Sequence, residues 1–402
     1  MISVAEARSR ILASLKPVGT ETVALADALD RVLAVPLDAY RLQPPKDMSA
    51  MDGYAVRASD LHKIPVDLKV VAEVAAGASY DGTVPPGSCV RIFTGAPLPA
   101  GTDTIVIQED TQADEAVGTV RILEGARLGT YVRPAGLDFK PGDTLLQAGH
   151  RMTPRSIGLA AAMNRPWLTV YRRPRVAILS TGDEIVLPGD PLGENQIVSS
   201  NGPALAAAVT RAGGLPTLLP VAKDDPEALR AIAAGAAGHD LVLTTGGASV
   251  GKHDLIGSAL GEAGLELDFW KIAMRPGKPL MFGMLAGVPM LGLPGNPVSA
   301  LVCFLLFGMP AIAKLVGMGD TEPQFVRAVL AGPLSENDRR EDYLRADLTR
   351  DSDGNLHVTP YSRQDSSMMR RLATAGCLIR RAPHAGSAEV GDSVEIIDLS
   401  SF

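Results

Sequence analysis

The stretch Leu241-Val-Leu-Thr-Thr-Gly-Gly-Ala-Ser-Val-Gly-Lys-His-Asp254 sets the strongest constraint on how this chain can fold. Residues 241–245 form a short apolar run with β-branched side chains, the composition of a buried strand. Gly246 and Gly247 end the run and let backbone N–H groups approach an anion. Gly251 adds a second flexible point, and Asp254 opens a helical run. A strand that stops at glycines before a helix makes a ligand site at the carboxyl edge of an open α/β sheet. A tight strand-to-helix turn without a ligand fits this stretch equally well, so the neighbouring segments decide.

Those neighbours repeat the pattern. From residue 175 short apolar runs (176–180, 218–221, 241–245, 267–273 and 288–293) alternate with helical runs. Asn201 is placed as the cap of a helix that ends before Gly213-Gly214; Asp225-Pro226 and Asn296-Pro297 are cap-then-proline starts. Strands alternating with helices imply a mainly parallel, doubly wound sheet. Three of its strands end in Ser180-Thr-Gly-Asp-Glu184, Thr245-Gly-Gly-Ala-Ser249 and Leu293-Pro-Gly-Asn-Pro297, which a parallel sheet brings to one edge. The helix start at Asn296-Pro297 offers free N–H groups and a dipole to an anion, and Pro294 stiffens the loop. A well-capped helix and nothing more is the plain alternative.

Carboxylates gather at the same edge: Asp183, Glu184, Asp224, Asp225 and Asp254. Any one of them reads as a solvated loop residue. Several converging on phosphate-binding backbone suggest Mg²⁺ held by one or two carboxylates and the substrate's own phosphates. Lys271, Arg275 and Lys278 put three cations into eight residues beside it, pinned by Pro276-Gly277. A local cationic cluster in a chain of net charge −7 suits an anionic substrate.

The remaining chain brackets this unit. Residues 4–15 and 24–33 have apolar side chains at helical spacing, and residues 154–163 form a further helix. Between them a run of short strands with turns at Asp81-Gly82, Pro85-Pro86-Gly87 and Glu124-Gly125 reads as an inserted β domain. From residue 324 short strands return. The expected domains are a discontinuous N-terminal domain (1–43 and 139–174), an inserted β domain (44–138), the α/β domain (175–322) and a barrel-like C-terminal β domain (323–402). A chain of 402 residues has room for these. Acidic balance argues against nucleic acid. Cys89, Cys303 and Cys377 are odd in number and widely spaced, which speaks against disulfides and zinc and for a reducing cytoplasm. The charged N-terminus lacks a signal-peptide core. The longest apolar run, 298–307, is far short of the roughly 20 residues that span a bilayer.

Six segments, taken together and in order, carry a resemblance. They are Ser49-Ala-Met-Asp-Gly-Tyr-Ala55, Arg91-Ile-Phe-Thr-Gly-Ala96, Ser180-Thr-Gly-Asp-Glu184, Thr245-Gly-Gly-Ala-Ser-Val-Gly251, Arg275-Pro-Gly-Lys-Pro279 and Gly292-Leu-Pro-Gly-Asn-Pro-Val-Ser-Ala300. The chain resembles, over essentially its whole length, the molybdopterin molybdenumtransferase family (MoeA and the E domain of gephyrin). The resemblance implies an elongated homodimer of four-domain subunits. It also implies insertion of molybdenum from molybdate into adenylated molybdopterin, with AMP released; Mg²⁺ is the expectation drawn from the carboxylate cluster. By the same resemblance Asp52, Glu184, Asp225 and Asp254 are catalytic, and the last three hold the metal, with Asp224 competing for the second place. Thr94, Arg133 and Asp138 match substrate-site residues of the β block; Lys271, Arg275, Pro294 and Pro297 match the anion side. Ser366 or Ser367, with Ser367 preferred, matches a serine near the C-terminal domain. The strand-end residues Ser180, Gly246, Gly247 and Ser249, with Lys278 and Asn296, complete the expected grip on pterin phosphate and nucleotide. Implied partners are a second copy, the molybdopterin-adenylating enzyme and proteins that mature the cofactor downstream; nucleic acid and membrane are not among them.

Three departures stand out. Arg275 occupies a place where many relatives have lysine, so a bidentate fork replaces a point donor. Lys46 stands where an aromatic is common, and Ala375-Gly-Cys377 replaces an Ala-Asn pair. Two rival functions remain: an adenylyltransferase, marked by turnover of ATP, and a non-catalytic scaffold, marked by no AMP release.

Overall fold

The computed structural model describes residues 1–222, 234–246, 264–319, 322–400 and 402. Its centre is a six-stranded sheet in the spatial order Leu215–Leu218, Arg175–Ser180, Leu241–Thr245, Val288–Leu293, Met281–Leu285, Leu265–Trp270. The first four strands are parallel, and the last two add as antiparallel neighbours. Alternate side chains feed two cores: Val176, Ile178, Leu241 and Leu243 on one face, Ala177, Leu179 and Val242 on the other. Both faces are covered, which is why these strands read as unbroken apolar runs. The register sets Ser180 beside Thr245 and Thr245 beside Leu293, so the three glycine-bearing loops leave from one edge.

One face is closed by the helices Asn201–Arg211 and 297–315. The second is built as Pro297–Cys303, a wider π-turn at Phe304–Gly308, and Met309–Leu315. Pro310 follows the wide turn; it has no N–H to donate, and its ring would crowd the carbonyl of an ordinary preceding turn. The nineteen residues from Pro297 to Leu315 are apolar enough to cross a membrane by composition, yet 83% of the apolar window is buried in protein. It is the core helix of this domain. Each wholly buried Leu or Phe there contributes roughly 1.5–3 kcal/mol. The N-terminal helix Val4–Ser14, capped by the Ser3 hydroxyl, packs Val4, Ala7 and Ile11 into the same core.

Residues 24–33 do not form the expected helix. Thr20–Ala24 is a strand paired with Trp167–Tyr171, followed by a single 3₁₀ turn, Leu25–Asp27. Asp30 then takes φ 62°, and the buried Arg31 guanidinium is held by Glu21 and by the Tyr171 carbonyl (2.9 Å). A second small core joins Ala28, Leu33 and Ala39 to Phe139, Met152, Ala160 and Val170. The helix Pro154–Ala162 contributes to it, started by a reciprocal Thr153–Ser156 capping box.

Between these halves lies a six-stranded sheet in the order Thr104–Ile107, Gly53–Val56, Ser88–Ile92, Val66–Val74, Thr119–Ile122, Thr111–Asp114, a half-barrel with a core on each face. The C-terminal strands Val326–Leu330, Glu341–Arg350, Leu356–Pro360, Cys377–Arg381 and Ser393–Asp398 close into a small barrel, since Glu341–Arg350 pairs with Cys377–Arg381 as well as with Leu356–Pro360. The fold is therefore multidomain, an α/β domain flanked by β domains, as the sequence pattern and resemblance imply. All three cysteines are free and buried, and burial pushes the Cys89 and Cys377 thiols up to about 12.

Candidate active site

A cavity of about 920 Å³ opens at the carboxyl edge of the parallel strands. Its floor is the three strand ends, and Asn201 ties two of them together. The Asn201 amide donates to Thr245 Oγ1 (2.8 Å) and to the Gly295 carbonyl (2.7 Å), while Thr245 Oγ1 donates to the Pro294 carbonyl (3.1 Å). Asn201 is thus not the helix cap: Ser200 holds that position, and no side chain caps the helix. The expected role is displaced because the amide finds better-placed oxygens on neighbouring loops. Gly246 is required there. Its φ is +100°, and a Cβ would lie 2.1 Å from the Thr181 carbonyl oxygen.

Two helices point their first turns into the cavity, through Ser200 and Asn201 and through Asn296 and Pro297. Their N–H groups and dipoles favour anionic ligands. Asn296 stands at the cap position, but its amide donates to Ser366 Oγ (2.9 Å) rather than capping. That bond, with Val298 N–H to the Ser366 carbonyl (3.1 Å), docks a barrel loop on the helix start. The loop itself is held by Arg345, buried to 1% exposure, which reaches the Asp365 carbonyl (2.9 Å) and Gln364 Oε1. Ser367 donates its hydroxyl (2.6 Å) and N–H (2.8 Å) to Asp365, which holds that carboxyl below the usual range.

The cationic hairpin forms the opposite wall. Lys271, Arg275 and Lys278 all line the cavity. Lys271 takes φ +73°, unusual for a side chain of its size, and its ammonium lies 3.3 Å from the centre of the Trp270 ring. Arg275 differs from the anion-binding role the resemblance gives it. Its Nε donates to both Asp342 oxygens (3.0 and 2.9 Å) and its Nη2 reaches Asp342 and Asn337, so a protein carboxylate occupies the fork. Burial raises the Asp342 carboxyl above its ordinary value although Arg275 lowers it.

Ser180, Glu184, Gly246, Pro294, Asn296, Pro297 and Ser367 therefore meet Lys271 and Lys278 around one cavity. Glu184 is exposed, beside Gly182, where a Cβ would approach its Oε2 to 2.9 Å. Gly247, Ser249, Asp224, Asp225 and Asp254 lie outside the described residues. Among the described residues no group of three His, Cys, Asp or Glu could hold a metal, and Glu184 alone does not make a divalent-cation site.

The β-block residues form a separate group. Asp52 accepts the Thr94 N–H and hydroxyl, each at 2.7 Å, and these two bonds hold its carboxyl below the ordinary value. Arg91 lies over the Tyr54 and Phe93 rings at 5.0 and 5.2 Å and adds positive charge. Arg133, on the short strand Val132–Arg133, and Asp138 are exposed nearby in sequence. None of Asp52, Thr94, Arg133 and Asp138 lines the cavity of its own chain. Thr181, Ser199, Trp270, Ser299 and Arg340 also line it; Thr181 and Ser299 lie inside the signature segments and Trp270 beside Lys271, whereas Ser199 and Arg340 carry no signal in the sequence.

Comparison with known proteins gives one family throughout. Residues 2–164 match the MoeA N-terminal region (domains I and II), 177–314 a probable molybdopterin binding domain, and 327–399 the MoeA C-terminal region (domain IV). A molybdopterin molybdenumtransferase of Haemophilus influenzae is 36% identical over 405 residues, covering 98% of each chain. One from Nostoc sp. is 42% identical over 338 residues, 82% of this chain and 77% of that one. The crystal structure of a molybdopterin biosynthesis MoeA protein from Pyrococcus horikosii superposes with a TM-score of 0.85 at 30% identity, covering 99% of both chains. With its four-part architecture and the cavity at its sheet edge, the chain belongs to the molybdopterin molybdenumtransferase (MoeA) family.

Proposed function

We propose that this protein transfers molybdenum from molybdate to adenylated molybdopterin and releases AMP. The observation that carries the reading is the cavity where three parallel strand ends, two helix starts and two lysines converge. Its volume suits a ligand of nucleotide size, and its donors suit a ligand whose charge lies on phosphates. The relatives' shared name supplies the reaction class.

In this reading the helix starts and Gly246 hold the phosphates, while Lys271 and Lys278 face the charge that develops as the anhydride breaks. Molybdate condenses with the two pterin thiols, forming two Mo–S bonds while one molybdate oxygen leaves as water with the two thiol protons. A water oxygen attacks the adenylyl phosphorus, its proton passing to solvent, so that AMP is the product. The bond from that phosphorus to the pterin phosphate oxygen breaks, and its electron pair stays on the pterin phosphate. Fixed N–H groups and ammonium ions stabilise that charge without reorganising. Glu184 orients the attacking oxygen. Mg²⁺ on Glu184, Asp225 and Asp254 is a separate part of the proposal, tested by excess chelator: undiminished AMP release removes it.

A second copy completes the site. The placement of Asp52 and Thr94 off their own chain's cavity supports this reading, because a two-fold contact forms two equivalent clefts. Cytoplasmic residence, and contact with the adenylating enzyme and downstream maturation proteins, belong to the same proposal.

The test is incubation with adenylated molybdopterin, with and without molybdate, following AMP. Molybdate-dependent release supports the reading, and Glu184→Gln should lower it about 10²-fold. ATP turnover without a partner favours adenylyl transfer instead. No AMP under any condition favours a scaffold.

A further inference from the structure

The hairpin that carries Lys271 and Lys278 does not end on its own sheet. Met274–Arg275 leaves to pair in parallel with Glu341 and Asp342 of the barrel, and Glu341 N–H donates to the Ala273 carbonyl (2.9 Å). Arg275 lies at this crossing and lines both the large cavity and a second one of about 420 Å³ within the barrel. Its guanidinium is engaged from three sides: by both oxygens of Asp342, by Asn337 Oδ1 (3.3 Å) and by Asp338 (3.6 Å). The Asp342 side chain is 4% exposed and that of Arg275 48%. A buried carboxylate depends on its partner more than the partner depends on it. Asn337 is fixed in turn, its amide donating to the Arg340, Arg381 and Ala382 carbonyls. Gln364, which begins the loop carrying Ser366 and Ser367, borders both cavities beside Arg275.

We infer that Arg275 and Asp342 form an interdomain clamp that sets the lysine hairpin against the barrel loop 364–367. Arg275 is then a positioning residue. Phosphate and oxyanion fall to Lys271 and Lys278. The bidentate fork explains the use of arginine here, since a lysine ammonium cannot hold both carboxylate oxygens in one plane. The inference rests on the proposed reading of the cavity as the adenylated substrate's site.

The two roles predict opposite signs for one substitution. AMP is the probe, titrated by calorimetry into the full-length protein, with circular dichroism as the check on folding. If Arg275 clamps, Arg275→Ala and Asp342→Asn weaken AMP binding by a similar factor, about tenfold, and the double variant by no more than either. Arg275→Lys recovers only part of the loss. If Arg275 grips the ligand's phosphate, Asp342→Asn releases the guanidinium and AMP binds as well as before or more tightly. That result in a folded protein overturns the inference. Where the single variants unfold, Arg275→Met with Asp342→Leu replaces the pair by apolar volume and keeps the crossing closed. Near wild-type AMP affinity in this double variant supports the clamp, and a loss of about tenfold or more in the folded double variant overturns it, because only a direct grip on the phosphate needs the guanidinium itself. A wild-type protein that binds AMP but never releases it from adenylated molybdopterin defeats the proposed reaction instead, and the binding comparison still decides the clamp.

Discussion

Asn201 is the test of whether the strand-end cavity is held open by design of its floor. Asn201→Ala removes the donor to Thr245 Oγ1 and to the Gly295 carbonyl. Thr245 is 2% exposed; its oxygen loses one partner but keeps its bond to the Pro294 carbonyl, a cost of about 0.5–1.5 kcal/mol. Gly295 is exposed, and water replaces the donor there at about 0.5–1 kcal/mol. The sum is about 1–2.5 kcal/mol on the α/β domain. Trp270 and Trp167 are the two tryptophans, so Trp270 fluorescence in a Trp167→Phe background follows this domain through urea unfolding. Its midpoint should fall accordingly, and the KM for adenylated substrate should rise. Asn201→Asp keeps the shape but sets a carboxylate against two acceptor oxygens, so it should be worse than alanine. An unchanged midpoint for Asn201→Ala, or tolerance of Asn201→Asp, would refute the tie.

Two further outcomes follow from local geometry. Lys271→Gly removes the cation and relaxes the φ of +73°; anion affinity should fall about 10- to 100-fold while the unfolding midpoint moves by no more than about 1 kcal/mol, measured by AMP titration and urea denaturation. The carboxyls of Asp338, Asp351 and Asp365 sit below the ordinary 3.8, held there by Arg340, by His357 and by the Ser367 hydroxyl respectively. Their stabilisation is present above that ordinary value and is lost as pH falls through the lower folded values; all three are solvent-screened, so Tm should fall only modestly below about pH 4; Asp342, raised by burial, runs the other way, and a Tm that rises in acid would mean that it dominates.

How much of this was legible depended on where each contact came from. The strand Leu241–Thr245 was readable because both its faces are buried and its own residues say so. Met281–Leu285 was not among the expected strands, because Gly283 interrupts its apolar run. In fact a Cβ there would meet the Glu266 carbonyl at 2.5 Å, so the glycine permits close approach of the next strand. The segment 24–33 has helical spacing, yet a strand contributed from residues 167–171 and the buried Arg31 override it. The strand expected at 218–221 lies earlier, at Leu215–Leu218, displaced by pairing with Arg175–Ser180. Within the site, the glycine loops and lysines announce themselves. The tie through Asn201, the docking of Ser366 on Asn296 and the diversion of Arg275 to Asp342 do not, because each is settled by a partner 44 to 94 residues away.

The central claim is that the cavity at the sheet edge receives the adenylated substrate. A crystal structure of the protein with AMP and molybdate tests it most directly. The account predicts the AMP phosphate between the start of the helix at Asn296 and the Lys271 ammonium, with Gly246 and Ser367 beside it. A nucleotide bound in the barrel cavity around Asn337 and Tyr361, with the sheet edge empty, would contradict it.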